Sequence, residues 1–96
     1  MKRYVLSPSA ENDITSIHRY IWRFNPAAAD DVAQEIRDTI RMLAEHPGMG
    51  HVRDEIDDDS IRFWPVYSYP IVYRSTANPL QIMRVLHGSR DVPNVL

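Results

Sequence analysis

Asn25-Pro26 is the feature that most narrows what this chain can fold into. On both sides of it, apolar residues recur at intervals of three and four, the period of a helix buried along one face. Ile14, Ile17, Ile21 and Phe24 form the stripe before it, and Ala29, Val32, Ala33, Ile36, Ile40 and Leu43 the stripe after it. Proline pushes the residue before it out of helical conformation and is well placed at the first position of the next helix, with Asn25 as cap. A break of one or two residues between two amphipathic helices predicts an antiparallel αα-hairpin. Ser7-Pro8 repeats the cap-and-proline signature at the start of the first helix, and Glu11 and Asp13 follow where the helix dipole favours anions. His46-Pro47-Gly48-Met49-Gly50 ends the second helix.

The period then changes. Residues 60–66, 68–75 and 80–87 are short, β-branched and aromatic, and read as strands joined by tight connections at Tyr67-Ser68 and Thr76-Ala77-Asn78-Pro79. The last run is apolar on both faces, which predicts the central strand, while Pro65 and Pro70 point to edges or bulges. Residues 3–7 add a strand before the helices. The order β-α-α-β-β-β predicts an α+β two-layer sandwich, the αα-hairpin packed on a small antiparallel sheet, as a single domain over residues 1–96.

A chain of 96 residues, 44% apolar and 25% charged, folds around one thin core. It has no cysteine, which excludes a disulfide scaffold, a thiolate metal site and a cysteine nucleophile. Its apolar runs are too short to span a bilayer, and its N-terminus lacks an apolar stretch of signal-peptide length. A cytoplasmic protein without membrane contact is the expectation. The net charge of −2 conceals a segregation: residues 54–59 hold five of the thirteen acidic side chains and no base, whereas residues 60–96 carry four Arg and the single acid Asp91.

Four features are candidates for function. His87, followed by Gly88-Ser89-Arg90-Asp91, fits a general acid or base beside a phosphate-binding guanidinium. An anchor for the C-terminal turn is the preferred reading, because no spacing selects a second acid–base group among Glu55, His51 and Tyr73. The acidic run lacks the alternation, central glycine and distal glutamate of a calcium loop, and the four histidines lack zinc-ligand spacing, so neither metal nor cofactor is expected. Arg53, Arg62, Arg74 and Arg84 lie in or beside the strands. Converging on one side, they would offer an electropositive surface to RNA, DNA or an acidic peptide; separately, they are surface arginines lying over aromatics. Tyr20 and Trp22 flank the first helix's stripe by about 100° on either side of Ile21, an aromatic width that predicts a covering partner. Glycine-rich phosphate loops, RNP-type aromatic motifs and helix-turn-helix patterns are missing.

These features together resemble the ParE branch of the RelE/ParE superfamily of bacterial toxin–antitoxin toxins. The resemblance spans nearly the whole chain: Leu6-Ser7-Pro8 with Ala10 and Asp13 behind it; Ile17 through Tyr20-Ile21; His46-Pro47-Gly48-Met49-Gly50 followed by Arg53; Tyr73-Arg74; and Arg84-Val85-Leu86-His87-Gly88-Ser89-Arg90-Asp91. It implies a toxin neutralised in a hetero-oligomeric complex by a ParD-like antitoxin, whose ribbon-helix-helix part binds operator DNA; the toxin would touch that DNA only through the antitoxin. ParE relatives inhibit DNA gyrase by stabilising its cleaved DNA complex, whereas RelE relatives cut messenger RNA in the ribosome. A ribosomal nuclease docks on a dense polyanion, and a net charge of −2 with one lysine suits that poorly. A non-enzymatic gyrase inhibitor is therefore the expected function, with no catalytic residue. A RelE-like endoribonuclease using His87 with Arg74 or Arg84 is the alternative, and a toxin that keeps antitoxin binding but has lost its target is a third possibility. On the first reading, His87, Arg90, Asp91 and Arg84 are the expected target contacts. Trp22, Arg53, Arg62, Trp64 and Arg74 are the expected antitoxin contacts.

Overall fold

Both cap-and-proline signatures act as the sequence predicts. In the computed structural model, which describes residues 3–87, Ser7 Oγ accepts the Ala10 N–H at 3.0 Å and Asn25 Oδ1 accepts the Ala28 N–H at 3.1 Å. They open α1 (Pro8–Trp22) and α2 (Pro26–Glu45), which follow a three-residue strand β1 (Tyr4–Leu6). A 3₁₀ turn (Pro47–Met49) and the acidic loop lead to β2 (Ile61–Val66), β3 (Tyr69–Arg74) and β4 (Leu80–Val85). Among the described residues, no helix is long and apolar enough to cross a membrane.

The strands lie in the order β1-β4-β3-β2. As expected, β2, β3 and β4 form an antiparallel meander, and β4 is interior. The sheet as a whole is mixed and not purely antiparallel, because β1 joins β4 in parallel, Tyr4 opposite Leu80 and Leu6 opposite Ile82. The two helices make the crossover that a parallel pair requires. Pro65 lies on the edge strand β2, as its missing N–H predicts. Its partner in the register is Pro70, at the start of the interior strand β3, and the irregularity in β3–β4 pairing falls later, between Val72 and Tyr73.

Strand alternation separates two clusters. Ile14, Ile17, Ile36, Ile40 and Leu43 of the helices pack on Val66, Ile71, Tyr73, Leu80, Ile82 and Val85 of the sheet. On the other face Ile61, Phe63, Val72 and Leu86 are covered by Ile56 of the acidic loop and by Met83. Phe24 departs from the stripe expected for it: it follows the end of α1 and is 74% exposed. The helix stops before its ring can turn toward the core.

Because β1 is half the length of β4, the second half of the β4 edge has no strand beside it. The start of α1 closes that edge with side chains. Ser7 Oγ donates to the Met83 carbonyl at 2.7 Å, and Asp13 Oδ2 accepts the Val85 N–H at 2.9 Å. The same carboxylate takes a bidentate pair from Arg84, Nε at 2.7 Å and Nη2 at 2.9 Å. A second junction ties the 3₁₀ turn to the sheet. The buried Tyr73 hydroxyl donates to the Pro47 carbonyl at 2.7 Å and accepts the Gly50 N–H at 2.8 Å. Gly50 is required by this close approach, since a Cβ there would lie 2.8 Å from two carbons of the Tyr73 ring.

Asp13→Ala is expected to lower the unfolding free energy by about 2–3 kcal/mol, because it strands the Val85 N–H and the Arg84 guanidinium together. Arg84→Ala is expected to cost about 1 kcal/mol, since Asp13 keeps the Val85 N–H and gains water. Equal losses for the two variants in urea unfolding would contradict the bridging role of the carboxylate. Tyr73→Phe is expected to cost about 1–3 kcal/mol in the same measurement, the penalty for leaving the Gly50 N–H buried and unpaired.

Candidate functional site

The four sheet arginines do not assemble into one surface. Arg74 stands opposite Ile61 and shares the face away from the helices with Arg53, whose guanidinium carbon lies 4.6 Å from the centre of the Phe63 ring. Arg62 lies on the helix side at the β2 edge, where its Nη1 donates to the Gly50 carbonyl at 2.9 Å and its Nε is buried without a partner. Arg84 is two strands away, against α1. Each also has an internal acceptor or counter-charge: Arg53 pairs with Glu55 at 3.6 Å, and Arg74 reaches Asp58 at 3.2 Å and Ser60 Oγ at 2.8 Å.

The acidic run is thus a strap for the outer face of the sheet. Asp58 accepts the Ser60 hydroxyl at 2.6 Å and the Ser60 N–H at 2.9 Å. These two bonds, and then Arg74, hold its carboxyl below the ordinary value of 3.8. Among the described residues no three His, Asp or Glu side chains come together as a metal site.

His87 ends the described chain among rings. It meets Tyr20 at 5.5 Å and Tyr69 at 5.3 Å between centroids, both edge to face. The groups that would complete an acid–base pair are engaged elsewhere: Tyr73 with Pro47 and Gly50, Glu55 with Arg53, and His51 stacked on Trp64 at 5.8 Å. Arg74 lies at the opposite end of β3 from Tyr69, about five residues or 16 Å along the strand. Arg90 and Asp91 lie outside the described residues.

The aromatic flank of α1 is exposed as its width predicts, Tyr20 at 49% and Trp22 at 50%. Trp22 packs on His18, which is bonded to Asp30 of α2 at 2.8 Å. Trp64 is half-buried against the helix-side core. The sequence reading missed a cleft of about 630 Å³ between β1 and α2, lined by Arg3, Tyr4, Val5, Leu6, Glu11, Arg41, Ala44 and Glu45. Leu80 N–H bonds to the Arg3 carbonyl and Ser7 N–H to the Ile82 carbonyl, so alternation leaves the main-chain groups of Tyr4 and Leu6 on the open edge beside that cleft. The one signal for it in the sequence is the shortness of the first strand.

Comparison with known proteins agrees with this architecture. The profile of a family described as "ParE toxin of type II toxin-antitoxin system, parDE" matches residues 4–92. Toxin ParE1 of Caulobacter vibrioides is 40% identical over 92 residues, 95% of this chain and 94% of the relative. Toxin RelE3 of the same organism is 26% identical over 88 residues, 92% of this chain and 96% of the relative. A chain of the solved chromosomal ParDE system from P. aeruginosa superposes with a TM-score of 0.74 at 17% identity, over 90% of this chain and 95% of that one.

The strap carries a pH signature. A carboxyl whose folded value is depressed contributes stability above its ordinary value of 3.8 and loses it as the pH falls through the folded value. Thermal unfolding from about pH 6 down to about pH 2 is expected to show a steeper acid limb in the native chain than in Asp58→Ala. Parallel curves would contradict the role given to this carboxylate.

Proposed function

The chain belongs to the ParE toxin family of type II toxin–antitoxin systems, and from that premise we propose that it arrests growth by binding DNA gyrase, with no bond-breaking of its own. The observation that carries this choice over the nuclease alternative is the state of His87. Among the described residues its ring neighbours are Tyr20 and Tyr69, and the arginines that a cleavage mechanism would set on the phosphate are committed elsewhere, Arg84 to Asp13 and Arg74 to the acidic strap. A general acid works only within hydrogen-bond reach of its proton acceptor and with the developing charge stabilised. On the binding reading, His87 with Arg90 and Asp91 contacts the target. Arg84 supports that contact from below, through Asp13.

The partner on this reading is a ParD-like ribbon-helix-helix antitoxin, and operator DNA is reached only through it. The open edge of β1 and the cleft beside it suit an added protein segment, since they offer unpaired main-chain groups next to a concave surface. Arg53, Arg62, Arg74, Trp22 and Trp64 are the further proposed contacts. Arg53 and Arg74 are partly exposed and already hold carboxylates, so antitoxin carboxylates would exchange with Glu55 and Asp58. Arg62 would act mainly by holding the Gly50 segment in place.

Purified toxin added to gyrase and plasmid at equal stoichiometry is expected to block supercoiling and to accumulate cleaved DNA. Unchanged supercoiling without cleaved DNA contradicts the proposal. In cells, transcripts are expected to stay intact during growth arrest, and His87→Ala is expected to weaken the arrest. Codon-positioned transcript ends that vanish in His87→Ala would establish the nuclease instead, and normal growth on expression of the toxin alone would point to a lost target.

A further inference from the structure

The two edges of the sheet are guarded differently. The outer edge of β2 is occupied at its middle: the His51 N–H donates to the Phe63 carbonyl at 2.8 Å, and the His51 carbonyl accepts the Phe63 N–H at 2.9 Å. Pro65 removes a further donor from the same strand. β1 has neither device. Tyr4, Val5 and Leu6 include no charge, proline or glycine, and Val5 is 39% exposed. Among the described residues no strand or bridge pairs with the outer side of β1. Soluble proteins blunt such an edge with lysine, proline or a bulge, because its unpaired main-chain groups recruit a further strand. Shortness is the one guard β1 has, and it limits the length of pairing without satisfying the groups.

The open groups have a particular symmetry. The Arg3 carbonyl accepts the Leu80 N–H and the Ser7 N–H donates to the Ile82 carbonyl, so Arg3, Val5 and Ser7 face β4. Tyr4 and Leu6 therefore face outward, each with one N–H and one carbonyl. Two outward residues on either side of an inward one form a self-complementary set. In an antiparallel pair centred on Val5, Tyr4 of each copy exchanges both of its bonds with Leu6 of the other. Val5 then meets Val5 of the second copy across the two-fold axis, in the close position where cross-strand side chains touch.

The side chains beside the strand fit the same axis. Arg3 precedes β1, Glu11 follows it in the first turn of α1, and both line the cleft. The register that sets Tyr4 against Leu6 sets Arg3 against Ser7 of the second copy, and so toward the helix start that carries Glu11. Within its own chain Arg3 is held only by Glu45, at 3.4 Å with side chains 71% and 56% exposed, a pair that water screens. The cleft as a whole carries Arg3 and Arg41 against Glu11 and Glu45. A patch of one sign repels its own copy and suits a partner of opposite charge, whereas a balanced patch suits itself.

We propose that the free toxin forms a two-fold dimer through β1, the two sheets joining edge to edge. Pro8 starts α1 directly after Ser7, so the pairing cannot slide past the end of the strand. A two-fold pair uses both open edges and leaves none for a third copy. The dimer is weak, because a three-residue strand makes an interface at the small end of the protein range. It goes beyond gyrase binding and does not rest on it. It shares its edge with the segment proposed for the antitoxin, which would replace the second copy; the toxin is measured alone, so each reading can fail without the other.

The test is sedimentation equilibrium of the full chain from about 10 μM to about 500 μM, expected to show monomer and dimer only, with a dissociation constant on the order of 100 μM. Amide hydrogen exchange over the same range is expected to slow at Tyr4 and Leu6 and to stay constant at Val5, which faces β4. Val5→Lys sets two like charges against each other on the axis and is expected to weaken the dimer at least about tenfold. Arg3→Glu and Glu11→Arg are each expected to weaken it about fivefold, and the double exchange to restore it. All three positions are exposed, and circular dichroism of each variant checks that the fold is intact. A chain that stays monomeric at about 500 μM, a double exchange that fails to restore the dimer, or assemblies larger than a dimer would each overturn the proposal. So would a dimer that survives Val5→Lys and is lost in Phe24→Ala, which would place the contact at the exposed end of α1. A monomer whose Tyr4 and Leu6 amides are protected only on adding antitoxin would overturn it too, and leave the edge to the antitoxin.

Discussion

One carboxylate stands where a strand is missing. β1 pairs with only the first half of β4, and Asp13 takes up the Val85 N–H that would otherwise face an open edge, while Ser7 serves the Met83 carbonyl. An unpaired main-chain group at a buried edge is costly, so closing this one from α1 fixes the helix to the sheet at a particular height and rotation. Arg84 completes the arrangement by neutralising Asp13 in bidentate geometry. The position of His87 and of the rings around it follows, because β4 ends at Val85 and the next residue, Leu86, is still held to β3 through the Pro70 carbonyl.

The residues that make the family recognisable are largely those that build such junctions. Ser7, Ala10 and Asp13 on one side, and Arg84 and Val85 on the other, are far apart in sequence and meet in a single contact. Tyr73 and the Pro47–Gly50 turn form a second. Such signposts report the fold, and function is carried on surfaces that the fold leaves available. Here these are the open β1 edge with its cleft, the strapped arginines, and the aromatic end. They differ in chemistry, so one small domain has room for more than one partner.

Local signals were legible in the sequence, and long-range allocations were not. Caps, proline positions and apolar period define both helices and the three-strand meander, because each depends on neighbours within a few residues. The parallel docking of β1 depends on the crossover and has no local marker. Phe24 keeps the period of its stripe yet faces solvent, since period says nothing about where the helix stops. The arginines illustrate the same limit. Alternation pairs Arg62 with Trp64 and Arg74 with Val72 on shared faces, but which face turns to the helices is set by packing, and the partner of each guanidinium by loops and by α1. The acidic run likewise gives no local sign of its partners, yet Asp58 within it is bonded by Ser60 and Arg74.

Amide hydrogen exchange at Val85 tests most directly whether a side chain has replaced a strand. In the native chain the Val85 amide should be protected nearly as well as amides in the middle of β3. In Asp13→Ser it should exchange orders of magnitude faster while the β3 amides change little. Fast exchange at Val85 in the native chain, or protection that survives the loss of the carboxylate, would contradict the junction on which this account rests.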